Sequence, residues 1–397
     1  MIETDKKTSE ILPPVAGHLE KAPVYALPAD ATEDDARKMA VKVMYDSVTF
    51  PWAPDKTVEL IYPQGEKVHR HTFSPDGCYA GMPYCGAHIG IHQALEYYDF
   101  SNGRMCGLDY ENISPMFGST CASTATWALA SVLRSNKATF TNYVTPAFGF
   151  QAIGGLRLPE DLVKWVNGEK DTKHLVEATD EETLYRAYVE MKPADLLLTT
   201  GSDKIGNHCM MCYAPCEVVY RADGSIDPEE SFATIIDQWA KEYPLEIDGT
   251  EYQVRGRVGK RYRFAKLREK HFIPMRAEEF ADWKGYVKGC SGLDRNAGSL
   301  EDLSKARVIS NYRLAALEFT VTDGQDREVF RKYMRTVTGD YPSGKDREYP
   351  AEAAVPDRNE LMPFLTGGQT YTARLKSLIA TGEWFTVSEF PMTDQNG

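Results

Sequence analysis

The chain has 397 residues, 42% hydrophobic and 26% charged, an ordinary composition for a globular protein of two domains or one large one with an appendage. A formal net charge of −13 argues against a nucleic-acid partner, because phosphate binding needs basic patches. No run of about 18 apolar residues occurs, so no membrane-spanning helix is expected, and the polar opening residues lack the apolar stretch of a secretory signal.

Residues 1–33 are rich in Pro, Ala and charge and read as a tail draped over the surface or disordered. A helix is predicted over 32–48: Thr32 with Asp35 forms a variant capping box, Met39, Val43 and Met44 recur at helical spacing, and Pro51 ends it. Strands are expected over 57–73, followed by a turn-rich segment carrying Tyr79 and Tyr84. A helix is predicted over 89–98. After a loop, Gly118-Ser119-Thr120-Cys121 opens another helix reaching about Arg134, with Ala125, Ala128, Leu129 and Val132 as its buried stripe. Short helices are expected over 159–167 and 180–191.

A strand series follows: 194–199, 208–214, a continuation at 217–221 past Pro215, 231–239, and the pair 251–257 and 261–264 around a Gly259 turn. Residues 286–305 look like a linker. Beyond it a strand is expected over 312–322, a loop over 340–358, and a hairpin of 371–378 with 384–390 around Ala380-Thr381-Gly382-Glu383. The pattern is α+β, with helices early, an antiparallel sheet late, and a small β-rich C-terminal domain of sandwich type over 306–397.

The residue carrying most information is Cys121. A helix start presents unpaired N–H groups and a partial positive charge, and both favour the thiolate, the reactive form of cysteine. His208 opens a later strand, Asn207-His208-Cys209-Met210-Met211-Cys212. A thiol at a helix start with a histidine on a following strand is the ground plan of a cysteine hydrolase. The histidine needs a partner to fix its tautomer, and the next strand offers Asp237 or Gln238. The expected chemistry is acyl transfer: His208 takes the Cys121 proton, the thiolate attacks an amide carbonyl, and the N–H of Cys121 helps hold the oxyanion. Against this stands the bland reading, in which a small cysteine fills an alanine-rich helix and a strand histidine is structural.

Other groupings carry less. Strand alternation sends Cys209 and Cys212 to opposite faces, which disfavours a metal knuckle at His208-Cys209-x-x-Cys212, and no metal or other cofactor is implied. His88 and His92 lie four apart without the glutamate of a zinc-peptidase helix. Trp52, Phe148, Phe150, Trp165 and Trp239 are more simply core than cleft. The basic run from Arg255 to Arg263 reads as strand-edge protection. Most of the eight cysteines are expected to be free thiols.

Together, Tyr79-x-Gly81-x-Pro83-Tyr84, Gly118-x-x-Cys121 opening a helix, Lys192-Pro193-Ala194-Asp195-Leu196-Leu197, and Asn207-His208 opening an apolar strand resemble the NlpC-type cysteine peptidases, papain-like bacterial enzymes that cleave peptide bonds in cell-wall peptidoglycan. The resemblance covers about 35–275 and implies a catalytic domain over 34–285. It implies Cys121 as nucleophile, His208 as base, Asp237 or Gln238 as third polar residue, and Tyr79, Tyr84, Ser119, Thr120 and Asn207 beside a peptide or peptidoglycan-fragment substrate. The chain departs from the family in Thr120-Cys121-Ala122-Ser123, where the family has Asp-Cys-Ser-Gly. It also departs in the long stretch between Cys121 and His208, where 135–180 reads as an insertion.

Overall fold

The computed structural model describes residues 12–64, 67–114, 116–134, 149–157, 171–202, 206–336 and 347–393. The helix expected over 159–167 lies outside them, as do Phe148 and Trp165. The fold is α+β, and all eight cysteines are free thiols.

Its spine is a mixed ten-stranded sheet. The central run is antiparallel, in the order Thr250–Arg263, Phe232–Ile247, Gly206–Glu217, Leu196–Ser202 and Ile273–Ala277. Helices Glu33–Thr49 and Cys121–Ala130 pack against each other and against these central strands. Glu33–Thr49 begins as its sequence dictates. Thr32 Oγ1 accepts the Asp35 N–H at 3.2 Å, the Asp35 carboxylate accepts the Thr32 N–H at 2.9 Å, and three acidic residues in the first turn suit the helix dipole.

Several elements differ from expectation for local reasons. The helix expected over 89–98 is one turn, Ile91–Ala94, followed by a 3₁₀ turn Leu95–Tyr97. Tyr98 then joins the sheet, and its hydroxyl donates to the Pro51 carbonyl at 2.8 Å. The cysteine helix stops at Ala130, and all ten of its residues are buried, where a single stripe was expected. Pro215 does not interrupt its strand, because it falls where the pairing with Phe232–Ile247 slips and no ladder donor is needed. Gly259 is likewise no turn. Thr250–Arg263 runs through it at φ +67°, as a bulge opposite Ile235 and Ile236. The chain reverses instead at Asp248-Gly249, both at positive φ, the pair a two-residue hairpin loop favours.

The described part of the tail is anchored: Tyr25 is buried, its N–H donates to Thr381 at 2.8 Å, and Ala16 accepts from the Tyr252 hydroxyl at 2.6 Å. Residues 286–305, expected as a linker, carry the strand Ser291–Leu293 and the helix Leu300–Ser304, with Leu303 fully buried. They belong to a second core shared by a four-stranded antiparallel sheet and the three-stranded sheet of Ser291–Leu293, Arg307–Ser310 and Glu348–Pro350. The four-stranded sheet runs Glu328–Arg335, Leu314–Thr322, Thr370–Ile379, Trp384–Thr393, and its first strand has no counterpart in the expected elements.

This C-terminal unit grips the far half of the cysteine helix. Trp127 and Ala130 pack with Ala315, Ala316, Leu378 and Ala380, and the Arg313 guanidinium lies 4.1 Å from the centre of the Trp127 ring. Buried Gln93 donates from its amide to the carbonyls of Ala315 and Thr336, at 2.7 Å each.

Candidate active site

The loop before Cys121 is built for close approach. Gly118 has φ +139°, and a Cβ there would sit 2.3 Å from the Cys85 sulfur and 2.6 Å from the Pro83 carbonyl, so only glycine fits. The Ser119 N–H donates to Pro83 and its carbonyl accepts from Cys85, both at 3.0 Å. Thr120 is the N-cap. Its N–H donates to Ser123 Oγ at 2.8 Å, and the hydroxyls of Ser119 and Thr120 each lie 2.8 Å from that same oxygen. Ser119 is fully buried and Thr120 nearly so. Both hydroxyls fasten the helix start, Thr120 immediately before Cys121. His88, at φ +55°, places Nδ1 3.4 Å from both Thr120 Oγ1 and Ser123 Oγ.

Cys121 and His208 meet. The imidazole charge and the Cys209 N–H both act on the thiol, which lies 3.9 Å from the Tyr84 hydroxyl. Tyr84 is brought there by a parallel bridge to Ser119. Tyr79 is elsewhere. Its ring packs with Trp52 and Phe73, and its hydroxyl accepts the Ser74 N–H at 2.9 Å. Asn207, half-buried, precedes His208 on the strand. Cys121 and His208 are only 3% and 4% exposed.

Behind the ring stands Asp237, fully buried, with Oδ2 accepting from His208 Nε2 at 2.5 Å. Nδ1 is thus the ring nitrogen left for the sulfur. Gln238 turns the other way and donates to the Met82 carbonyl at 2.5 Å, so of the two expected partners Asp237 holds the ring. Trp239 completes the cage edge-on, its ring centre 4.6 Å from that of His208 at 78°.

Arg257 was not anticipated. It lies directly across the ladder from Asp237. Its Nε donates to Asp237 Oδ1 at 2.9 Å, its Nη2 donates to Oδ2, and its Nη1 donates to the Tyr262 hydroxyl at 2.7 Å. The guanidinium carbon lies 4.1 Å from the centre of the Trp239 ring. Within the run from Arg255 to Arg263, Arg255 and Arg257 turn inward to Glu242 and Asp237, while half-exposed Arg261 and Arg263 pair with Glu217 and Glu229; Tyr79–Ala80 pairs only with Gln253 and Val254, just before the run.

The electrostatics follow from these contacts. Burial alone would raise the Cys121 pKa. The charge and hydrogen bond of His208, the Cys209 N–H and the Tyr84 hydroxyl reverse this and bring the thiol below its usual range. Burial would lower the His208 pKa, but the Cys121 thiolate and the Asp237 carboxylate raise it to about 9. Burial would raise Asp237, and hydrogen bonds from Arg257 and His208 hold it below the usual carboxylate range. Both shifts run in the same sense, favouring thiolate with imidazolium over the neutral pair. Comparison with protein-family models and with curated proteins gives no match to this chain.

Proposed function

We propose that the protein is a cysteine hydrolase of the papain-like, NlpC type that cleaves an amide bond, with a peptide of bacterial peptidoglycan as the substrate class. One observation carries this reading: the Cys121 thiol at a helix N-terminus and the His208 imidazole act on each other's charge, and the ring's Nε2 donates to the buried Asp237 carboxylate behind it. The Cys121 thiolate attacks the carbonyl carbon. The tetrahedral oxyanion is held by the Cys121 N–H, which has no acceptor within the helix, with the Tyr84 hydroxyl close to the sulfur as a further donor. His208 protonates the leaving amine as the C–N bond breaks, leaving a thioester on Cys121. His208 then takes a proton from water, the hydroxide displaces the thiolate, and the acid product leaves.

The test is incubation with muropeptides and product analysis by mass spectrometry. Wild-type protein should release a free amine and a free carboxylate, and Cys121→Ala should release neither. Equal hydrolysis by the variant would remove Cys121 from the mechanism. Activity on thioesters or esters with none on peptides would instead indicate a thiol acyl hydrolase using the same pair.

A second reading, a binding module on a retired peptidase fold, is favoured by the slight exposure of both Cys121 and His208. Iodoacetamide separates the two: an active site alkylates at Cys121 faster than a free thiol near neutral pH, and a retired one does not.

A further inference from the structure

Asp237 has two claimants. His208 Nε2 and Arg257 Nη2 both donate to its Oδ2, and these nitrogens lie only 3.3 Å apart. Arg257 also takes Oδ1 through Nε, making the two-pronged contact that guanidinium and carboxylate favour. A fully buried carboxylate held this way has its charge largely matched by the arginine. What it offers the imidazole is a fixed acceptor more than a second negative charge. We infer that Arg257 is a positioning residue of the site: it fixes the Asp237 carboxylate against the back of His208 while cancelling most of its charge, leaving the Cys121 thiolate as the main counter-ion of the imidazolium. The inference rests on the cysteine-hydrolase reading of this same site.

The surroundings leave few other sources of charge. Among the described residues, the titratable and charged groups facing the Cys121–His208–Asp237 line are Tyr84, Tyr62 and Cys209 on the sulfur side and Arg257 with Tyr262 behind the carboxylate, with Tyr243 acting on Arg257 from farther along its strand. Trp239, Phe272 and Met210 fill the rest with rings and a thioether. Arg257 is braced by Trp239 and Tyr262, so its fork has little freedom to turn from Asp237.

Loss of the guanidinium removes a positive charge 3.3 Å from the imidazole and leaves the Asp237 charge unmatched, so the pKa of the imidazole moves upward and that of the thiol, farther off, follows in the same direction. The experiment is the rate of Cys121 alkylation by iodoacetamide from pH 4 to 11, with peptide hydrolysis in parallel and unfolding by circular dichroism as the fold control. Arg257→Met should move both inflections to higher pH, that of the imidazole by about one unit, because a neighbouring charge a few ångströms away is worth about that much. Arg257→Lys keeps the charge but loses the fork. It should leave the inflections in place and slow the reaction about tenfold, since a misplaced base costs at least that much.

Arg257→Met with inflections unmoved would overturn the inference, and so would Arg257→Lys with inflections shifted as far as those of the methionine variant. If Arg257→Met fails to fold, the lysine variant decides alone: unmoved inflections with a reaction about tenfold slower support the inference, and inflections moved upward by about one unit overturn it. Alkylation needs no substrate, so the outcomes stay distinct. A wild-type Cys121 no faster than a free thiol sinks the hydrolase reading itself. A fast wild type with unshifted Arg257→Met sinks only the role of Arg257.

Discussion

Two aspartates, both fully buried, anchor the main sheet, and they are set up differently. Asp195 lies between Arg37 and Arg276, with Oδ1 on Arg37 Nη1 at 2.8 Å and Oδ2 on Arg276 Nη2 at 2.7 Å, and it also accepts the Lys192 N–H at 2.9 Å. Neither side-chain partner releases a proton in the range where proteins work. Asp237 lies between Arg257 and His208, and one of its partners does. The first network is closed and ties the first long helix to the strand beside the histidine strand. The second opens through an imidazole onto a thiol. A buried carboxylate with two guanidiniums is architecture. Exchanging one guanidinium for an imidazole makes a relay that can answer to the state of a nearby sulfur.

Substitutions can break this comparison. Asp237→Asn should have the largest effect, lowering hydrolysis by about 10²–10⁴-fold, the range that general acid–base catalysis supplies, because the imidazole loses its fixed acceptor. Steady-state kinetics on a muropeptide would check this, and a loss below fivefold would mean that the carboxylate does not orient the base. Asp195→Asn should act on stability, costing about 1.5–3 kcal/mol because Arg37 keeps only the partly exposed Glu33 and Arg276 loses its carboxylate. Urea unfolding measures that cost, and a pH–rate profile altered by Asp195→Asn would show that the two networks are not separate.

The pH profile of the wild type sharpens the contrast further. Hydrolysis should be bell-shaped, rising below the usual thiol range as the Cys121 thiolate forms. It should fall near pH 9, where His208, raised by the thiolate and Asp237 against the effect of burial, loses the proton the leaving amine requires. A fall centred near the ordinary imidazole value would contradict the ion pair. Gly118→Ala should cost about 1–3 kcal/mol in strain and depress the rate, since the added carbon displaces Cys85 from beneath the loop that aims Cys121. The smallest effect is a gain. Ala194, just before the closed network, has φ +69°, where glycine is at ease. Ala194→Gly should therefore raise stability by about 1 kcal/mol and leave activity alone. A lowered melting temperature would show that the buried methyl packs better than its backbone suffers.

Much of this site could be read along the chain because its two leading residues announce themselves locally. Cys121 follows a glycine and a capping hydroxyl, and His208 opens an apolar strand. Helix Glu33–Thr49 was legible for the same reason, since its cap lies within four residues of itself. Arg257 was not legible. Continued without interruption from the pair Ile247 and Thr250, the hairpin ladder would set Lys260 opposite Asp237. The shift between Gln238 and Tyr243 sets Arg257 there instead, and puts Trp239 in the irregular stretch beside the ring. The Asp248-Gly249 turn was the available signal for the hairpin, but the slip depends on three-dimensional packing. The capping role of Ser119 and Thr120 was not legible for a related reason, because hydroxyls next to a thiol suit substrate contacts and helix caps equally well. The resemblance of Tyr79 and Tyr84 in sequence hides the fact that strand Tyr79–Ala80 sends one ring under the sheet while the next turn lifts the other to the sulfur.

The clamp of the C-terminal unit on Trp127 and Gln93 has a practical corollary for anyone who would shuffle this protein. The unit is not a detachable accessory. Truncation near residue 285 would strip the cover from a helix with no water-compatible side and leave the Gln93 amide facing nothing. A shortened gene should therefore yield inclusion bodies instead of a minimal folded domain. A chimaera would need a replacement surface at Trp127 before any new domain could be grafted in its place.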